Sequence, residues 1–208
     1  MLQDIISRIR TGFTRPLPGR SAQERMTGRV IPMPESLPEN VRDSAVLQLI
    51  YPVDGVPHML FMRRTEDGRA HSGQISFPGG RWEAQDENFM QTALREAAEE
   101  VGLQPGSVEV LGAMTPLYIP VSYFMVHPFV AWADARPDYR PNADEVSELI
   151  ELPFDYLLDP ANKIRTQVRP SSMPDLVLDV PAYKIPDGSI IWGATAMMLA
   201  ELEALMEA

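Results

Sequence analysis

Apolar residues recur in two distinct periods along the chain, and the places where one gives way to the other outline the fold. Leu2, Ile5, Ile6 and Ile9 fall at i, i+3, i+4 and i+7, the stripe of a short amphipathic helix. A Pro- and Gly-rich stretch follows from about Thr11 to Asn40 and reads as an extended arm. Ser44 to Tyr51 and His58 to Arg64 read as two strands paired through the turn Pro52–Pro57, whose Asp54-Gly55 pair is a strong hairpin signal. Further strands are predicted at Ser107–Met114, Val126–Ala133 and, more briefly, Leu149–Leu152. Trp132, the stretch Pro137–Asn142 and the segment Arg165–Asp187 carry turn and loop chemistry. The final element, Ile191–Glu207, is Met-rich and reads as a packing helix with one apolar side. Strands flanked by helices before and after imply an α/β sandwich. The chain divides into residues 1–40, a helix and arm, and 41–208, the folded domain.

Composition narrows the class. A chain of 208 residues with 45% hydrophobic content can bury a real core without a second domain. It has no cysteine, which removes disulfides and thiol chemistry together. No apolar run approaches the ~18 residues of a membrane span, and the first ten residues mix charge with apolar side chains, unlike a secretory signal. A cytoplasmic protein is therefore expected. The net charge of -11 disfavours nucleic acid as a partner, because affinity for its backbone rests on cationic neutralisation of phosphates.

The charge pattern changes most between Gly79 and Leu103. Phe77-Pro78 would end a strand rigidly, Gly79 and Gly80 allow close backbone approach to a ligand, and Gly102 sits where a helix stop belongs. Between them lie Arg95, Glu96, Glu99 and Glu100. Positions 96, 99 and 100 share one helix face. Glu-Glu pairs usually mark only a solvated face, yet this crowding of carboxylates beside a glycine turn suits hard oxygen ligation of Mg2+ or Mn2+. Arg63, Arg64, Arg69 and Arg81 flank the same loop, a cationic cluster in an acidic chain that would meet phosphate groups.

This arrangement resembles the Nudix box. Arg95, Glu96, Glu99, Glu100, Gly102 and Leu103 fall on the family pattern, with Ala97 where a larger aliphatic is usual. The loop before them is one residue longer than that pattern, so either Asp86 or Glu87 takes the place of its acid. Upstream, Leu60-Phe61-Met62-Arg63-Arg64-Thr65, Arg69, Gly73 and Phe77-Pro78-Gly79-Gly80 are similar to the signature of the coenzyme A diphosphatase branch, which has a one-residue extension in its box. Phe61, Met62 and Thr65 depart mildly from that signature. Ile191-Trp192-Gly193-Ala194-Thr195-Ala196 also looks like a segment of that branch, so the likeness covers roughly residues 42 to 200.

The resemblance implies an α/β/α sandwich with a mixed sheet and metal-assisted hydrolysis of a small-molecule diphosphate. Coenzyme A or acyl-CoA would be split into 4'-phosphopantetheine and adenosine 3',5'-bisphosphate. Alternatives are NADH, ADP-ribose or dinucleotide polyphosphates, or a silent nucleotide-sensing domain. Glu96 and Glu100, one turn apart, are expected to be the strongest metal ligands, with Glu99 as a further ligand or water partner. Arg95 would orient a glutamate by bidentate pairing. Arg63, Arg64, Arg69, Gly79 and Gly80 are the expected substrate-binding residues. The general base is open between Glu145, Glu148 and Glu96, and Glu145 is the stronger candidate because Asn142-Ala143-Asp144-Glu145-Val146 resembles a motif of the branch. His71 and His127 are other candidates, although a lone histidine is more often structural. A homodimer through Met197, Met198 and Leu199 of the final helix is compatible with catalysis.

Overall fold

The computed structural model describes residues 2–27, 36–66, 72–170 and 175–207. Its elements run α1 (Leu2–Gly12), α2 (Arg20–Gln23), β1 (Arg42–Val53), β2 (Val56–Arg64), β3 (Ile75–Ser76), β4 (Gly79–Arg81) and α3 (Phe89–Val101). There follow β5 (Glu109–Ala113), β6 (Leu117–Ile119), β7 (Phe124–Trp132), β8 (Val146–Pro153), α4 (Phe154–Leu158), β9 (Lys163–Val168), β10 (Leu178–Lys184), β11 (Ile190–Trp192) and α5 (Gly193–Glu207).

The main sheet has the order β3-β2-β1-β7-β5, with β4 on β1, β6 on β7 and β8 on β2. β1 and β7 run parallel while the other pairs are antiparallel, so the sheet is mixed as expected. The β1–β2 hairpin is tighter than the composition suggested. Pro52 and Val53 pair with Pro57 and Val56, leaving Asp54 and Gly55 as the turn. Their positive φ values, 50° and 78°, fit a two-residue hairpin turn.

Alternation along the strands sorts the core into two faces. Leu47, Leu49, Tyr51, Leu60 and Met62 face Ala93, Ala97 and Val101 of α3. Ile50, Met59 and Phe61 face the other way, toward Ile5, Ile6 and Ile9 of α1 and Leu199, Leu202 and Leu205 of α5. Small residues on α3 let that helix sit close to the sheet, and this fixes the height of its glutamates above β4.

Two elements correct the sequence reading. Arg165–Asp187, expected as loop, contains most of β9 and all of β10, which pair from Lys163↔Tyr183 to Val168↔Leu178 in a second, three-stranded sheet with β11. Pro181 disguised β10, since proline cannot donate to a ladder. Its tolerance is local: β11 is in register only with Ala182–Lys184, so Pro181 has a paired strand on the β9 side alone. Trp132, also expected in a turn, closes β7 and is nearly buried, its indole donating to Asp134 Oδ1 at 2.8 Å.

α5 was expected to bury one side, yet every residue from Thr195 to Met206 is buried. It packs against α1, α2, β6, β10 and β11. Met197, Met198 and Leu199 therefore lie inside the chain rather than on a surface open to a second copy. Gly19 and Gln23 of the Pro/Gly-rich stretch are tied to the same helix. Glu201, fully buried, accepts from the Gly19 and Thr115 backbone N–H groups at 3.1 and 3.3 Å and from Gln23 Nε2 at 2.8 Å. Among the described residues no helix is long and apolar enough to cross a membrane.

Candidate active site

α3 begins and ends by clear local chemistry. Asn88 caps it through Oδ1, which accepts from the Gln91 N–H at 3.1 Å. Gly102 terminates it in the left-handed region at φ 73°, with Leu103 N–H bonded back to Ala97 O at 3.2 Å. The helix so framed carries its acids at three depths. Glu100 is 2% exposed, Glu96 is mostly buried and Glu99 is exposed, with 58% of its side-chain surface open.

Each of the two inner glutamates rests on a glycine. Gly79 N–H donates to Glu100 Oε2 at 2.7 Å. Gly79 itself has φ 152°, and a Cβ there would collide with the backbone of Ala45 and Val46. A Cβ on Gly80 would instead collide with the Glu96 carboxylate. The glycine pair thus gives up its side chains so that β4 can lie under α3 and its carboxylates.

Arg95 organises the remaining charge. Its Nε and Nη2 donate to the two oxygens of Asp86 at 2.9 and 3.0 Å, and Nη2 also reaches Arg81 O at 2.9 Å. Its Nη1 lies 2.9 Å from Glu96 Oε1 and 3.1 Å from Glu99 Oε2. Asp86 also accepts from Thr92 Oγ1 at 2.9 Å and from Glu83 N–H at 3.1 Å. These donors, Arg95 first, lower its carboxyl from 3.8 to about 2. Glu87 takes no part in this cluster and pairs with Gln91 instead. The structure therefore distinguishes the two loop acids that the spacing left open.

Burial works in the opposite sense on the helix. It pushes Glu100 up to about 8, against the Gly79 N–H and Arg64, whose Nη1 is 3.4 Å from Glu100 Oε1. Burial also raises Glu96, although Arg95 opposes the shift. Repulsion from Glu145 adds slightly to both shifts, so its carboxylate is within electrostatic reach of the two glutamates. Backbone bonds explain its position. Asn142 N–H donates to Glu100 O at 2.8 Å, Glu145 N–H to Asn142 O, and Thr65 N–H to Glu145 O, both at 3.0 Å, so the 142–145 turn is hooked to the end of α3.

The other expected residues divide. Arg64 belongs to the cluster through Glu100. Arg63 is committed elsewhere: its Nε donates to Glu148 at 2.9 Å, and its Nη2 to Asp187 at 2.9 Å and Ser189 at 3.2 Å. Glu148 is thereby held by a cation, whereas Glu145 is within electrostatic reach of the inner glutamates. His127 lies near the far end of α3, stacked on Phe89 with ring centroids 3.7 Å apart and with Nε2 2.8 Å from Asp43 Oδ1. At ~1.5 Å rise per residue, Phe89 is about 10 Å from Glu96 along the helix. Arg69 and His71 fall outside the described residues.

Among the described residues no three acidic or imidazole side chains converge on one point, because Arg95 draws Glu96 and Glu99 outward while Gly79 and Arg64 hold Glu100. The donor set nonetheless fits a hard divalent cation. It is all oxygen, it sits on backbone cleared of side chains, and the raised Glu100 carboxyl marks a place where negative charge lacks a sufficient partner. The sequence could not show the Gly79 N–H as a donor or Asp86 as the anchor of Arg95, since both depend on the loop's path.

A family model described as NUDIX domain matches residues 41–171. A protein named uncharacterized Nudix hydrolase NudL, from Pectobacterium atrosepticum, is 48% identical over 99 residues, covering 48% of this chain and 51% of that protein. The mouse peroxisomal coenzyme A diphosphatase NUDT7 is 36% identical over 155 residues, or 73% of this chain. The matched stretch spans 64% of the mouse protein, so the likeness extends over about half to two-thirds of these relatives' lengths. A crystal structure of a NUDIX hydrolase from Alicyclobacillus acidocaldarius superposes with a TM-score of 0.53 over 81% of this chain and 92% of that one, at 17% identity. That likeness is one of fold.

Proposed function

The chain belongs to the NUDIX domain family, and on that premise we propose that it is a metal-dependent hydrolase of diphosphate linkages whose substrate is coenzyme A or an acyl-CoA. The observation that carries this reading is the pair of buried carboxylates, Glu96 and Glu100, laid against the Gly79-Gly80 backbone and framed by Arg95 and Asp86. The 36% identity to a coenzyme A diphosphatase supports the substrate class. So do Arg64, Gly73 and Phe77-Pro78-Gly79-Gly80, the described part of the signature that resembles that branch.

Glu96 and Glu100 would hold Mg2+ or Mn2+, with Glu99 reaching it after release from Arg95. When bound, the cation neutralises the diphosphate oxygens and activates water. The chain's own residues do the rest. Arg95 fixes the height of Glu96 by tying α3 to the Asp86 loop. Arg64, held at the rim by Glu100 and about one-third exposed, offers its remaining donors to a phosphate oxygen. Glu145, within electrostatic reach of the inner glutamates, would accept the proton of the attacking water. Hydrolysis would release 4'-phosphopantetheine and adenosine 3',5'-bisphosphate.

Turnover decides the substrate. The full chain would be incubated with CoA, NADH, ADP-ribose and diadenosine polyphosphates under Mg2+ or Mn2+, with the products separated and identified. CoA cleaved fastest to the two named products supports the reading. CoA left intact while another dinucleotide is split overturns the branch, and no cleavage of any of them with either metal points to a binding domain.

A further inference from the structure

Beside the glutamate centre stands an aromatic ring that the proposed chemistry leaves unused. Trp82 is 41% exposed, yet it is fastened at two points. Its backbone N–H donates to Asp43 O at 3.0 Å, which carries the pairing of β4 with β1 one residue further. Its indole Nε1 donates to Asp86 O at 3.2 Å. The loop between these two bonds is the one that Arg95 grips, at the Arg81 carbonyl and the Asp86 carboxylate. The ring is thus held before any ligand arrives, so little side-chain freedom is lost on contact.

Alternation along β4 sets the side from which the indole projects. A Cβ on Gly80 would point at the Glu96 carboxylate, so Trp82, two positions on, leaves the same face about 7 Å further along the strand. Its partner Asp43 lies on that face too, since Asp43 meets His127, which stacks on Phe89 of α3. A substrate whose diphosphate lies over Glu96 and Glu100 and extends along β4 brings one of its arms across the indole.

Charge selects the arm. Coenzyme A carries on one side an adenosine with a 3'-phosphate, a group of about −1.5 to −2 at neutral pH. On the other side is the uncharged pantetheine chain with its geminal methyl groups. The surroundings of Trp82 are acidic, with Asp43 paired to it and Glu83, Asp86 and Glu87 in the loop that follows. Arg42 and Arg81 alternate to the opposite face of the sheet. Arg95 is shared among Asp86, Glu96 and Glu99. A 3'-phosphate there would meet like charge. Arg64, by contrast, stands at the other end of the glycine pair beside Glu100, about one-third exposed. An indole among acids suits an uncharged chain, whose methyl groups leave water against the ring.

We propose that Trp82 holds the pantetheine arm of the substrate, with the 3'-phosphorylated nucleoside directed toward Arg64; the proposal rests on the coenzyme A reading above. The test follows CoA hydrolysis under Mg2+ by the wild type, Trp82→Ala and Trp82→Phe, with 4'-phosphopantetheine and adenosine 3',5'-bisphosphate each added as product inhibitor. Trp82→Ala should raise KM for CoA and weaken inhibition by 4'-phosphopantetheine, each by about fivefold or more, while adenosine 3',5'-bisphosphate inhibits as it does the wild type. Trp82→Phe also loses the bond to Asp86 but keeps a ring, and should stay within about twofold of the wild type. Weaker inhibition by the bisphosphate alone would place adenine on the indole, and equal weakening of both inhibitors would reduce Trp82 to a support of its loop. Either overturns the proposal. So do unchanged inhibition in Trp82→Ala, a Trp82→Phe chain as impaired as Trp82→Ala, and a wild type that 4'-phosphopantetheine does not inhibit. A wild type that leaves CoA intact fails the reading of function and the proposal with it, and this shows before any variant is compared.

Discussion

A guanidinium has five donors in a rigid fork, and Arg95 distributes them over Asp86, Glu96, Glu99 and the Arg81 carbonyl. Its pairing with Asp86 gives a titration that can be measured. The Asp86 carboxyl falls from 3.8 to about 2 in the folded chain, so its contribution to stability is complete above the unfolded value. That contribution is lost as pH drops through about 2. Urea unfolding followed from pH 5 to pH 2 should show an acid-side loss of roughly 1–2 kcal/mol, discounted for nearby solvent, that Asp86→Asn abolishes. An unchanged slope in the variant would mean the carboxylate gains nothing from Arg95. At this scale the sequence was informative about side chains that share a helix face. Glu96, Glu99, Glu100 and Arg95 were legible because a period of 3.6 residues places them, whereas the choice between Asp86 and Glu87 depends on a loop that no period describes. Arg63 shows the converse. Its position suggested phosphate, but Glu148 and Asp187 lie within reach and occupy it.

The junction of β4 with α3 makes the two adjacent glycines unequal. A methyl group at Gly79 meets fixed backbone of β1, and the φ of 152° is unfavourable for any other residue. Gly79→Ala should therefore cost about 3 kcal/mol or more and lower the melting temperature sharply. A methyl at Gly80 meets the end of a flexible glutamate instead. Gly80→Ala should keep the melting temperature within a few degrees while lowering kcat by about 10–100-fold, the scale seen when a metal ligand loses its support. Equal thermal losses in both variants would remove Glu96 from the account of Gly80. Elements were readable where pattern and packing agree, as in the β1–β2 hairpin and α3. They were misread where a neighbour overrides the pattern. β10 contains Pro181 but needs a ladder there on one side alone, and α5 shows little one-sidedness because it is enclosed by α1, α2 and the second sheet.

Across the whole molecule, α5 ties the N-terminal segment to the domain through one buried acid. Glu201 satisfies Gly19, Thr115 and Gln23, so Glu201→Ala strands three donors at once. A loss of about 3 kcal/mol is expected, with earlier protease cleavage between Leu17 and Met26 than in the wild type. Wild-type resistance in the variant would show that the segment is held by apolar contact alone. The composition of residues 11–40 concealed this clamp, because its partner is far away in sequence. Light scattering addresses the homodimer, for which Met197, Met198 and Leu199 offer no free surface.

The most direct measurement is CoA hydrolysis under Mg2+ by the wild type and by Glu100→Gln, with both products quantified and melting temperatures recorded. The wild type should release 4'-phosphopantetheine and adenosine 3',5'-bisphosphate in equal amounts. The variant, which keeps the shape of a side chain that is 2% exposed, should stay folded and lose about 10²-fold or more in kcat. A folded variant with wild-type turnover would contradict the assignment of the helix acids to catalysis.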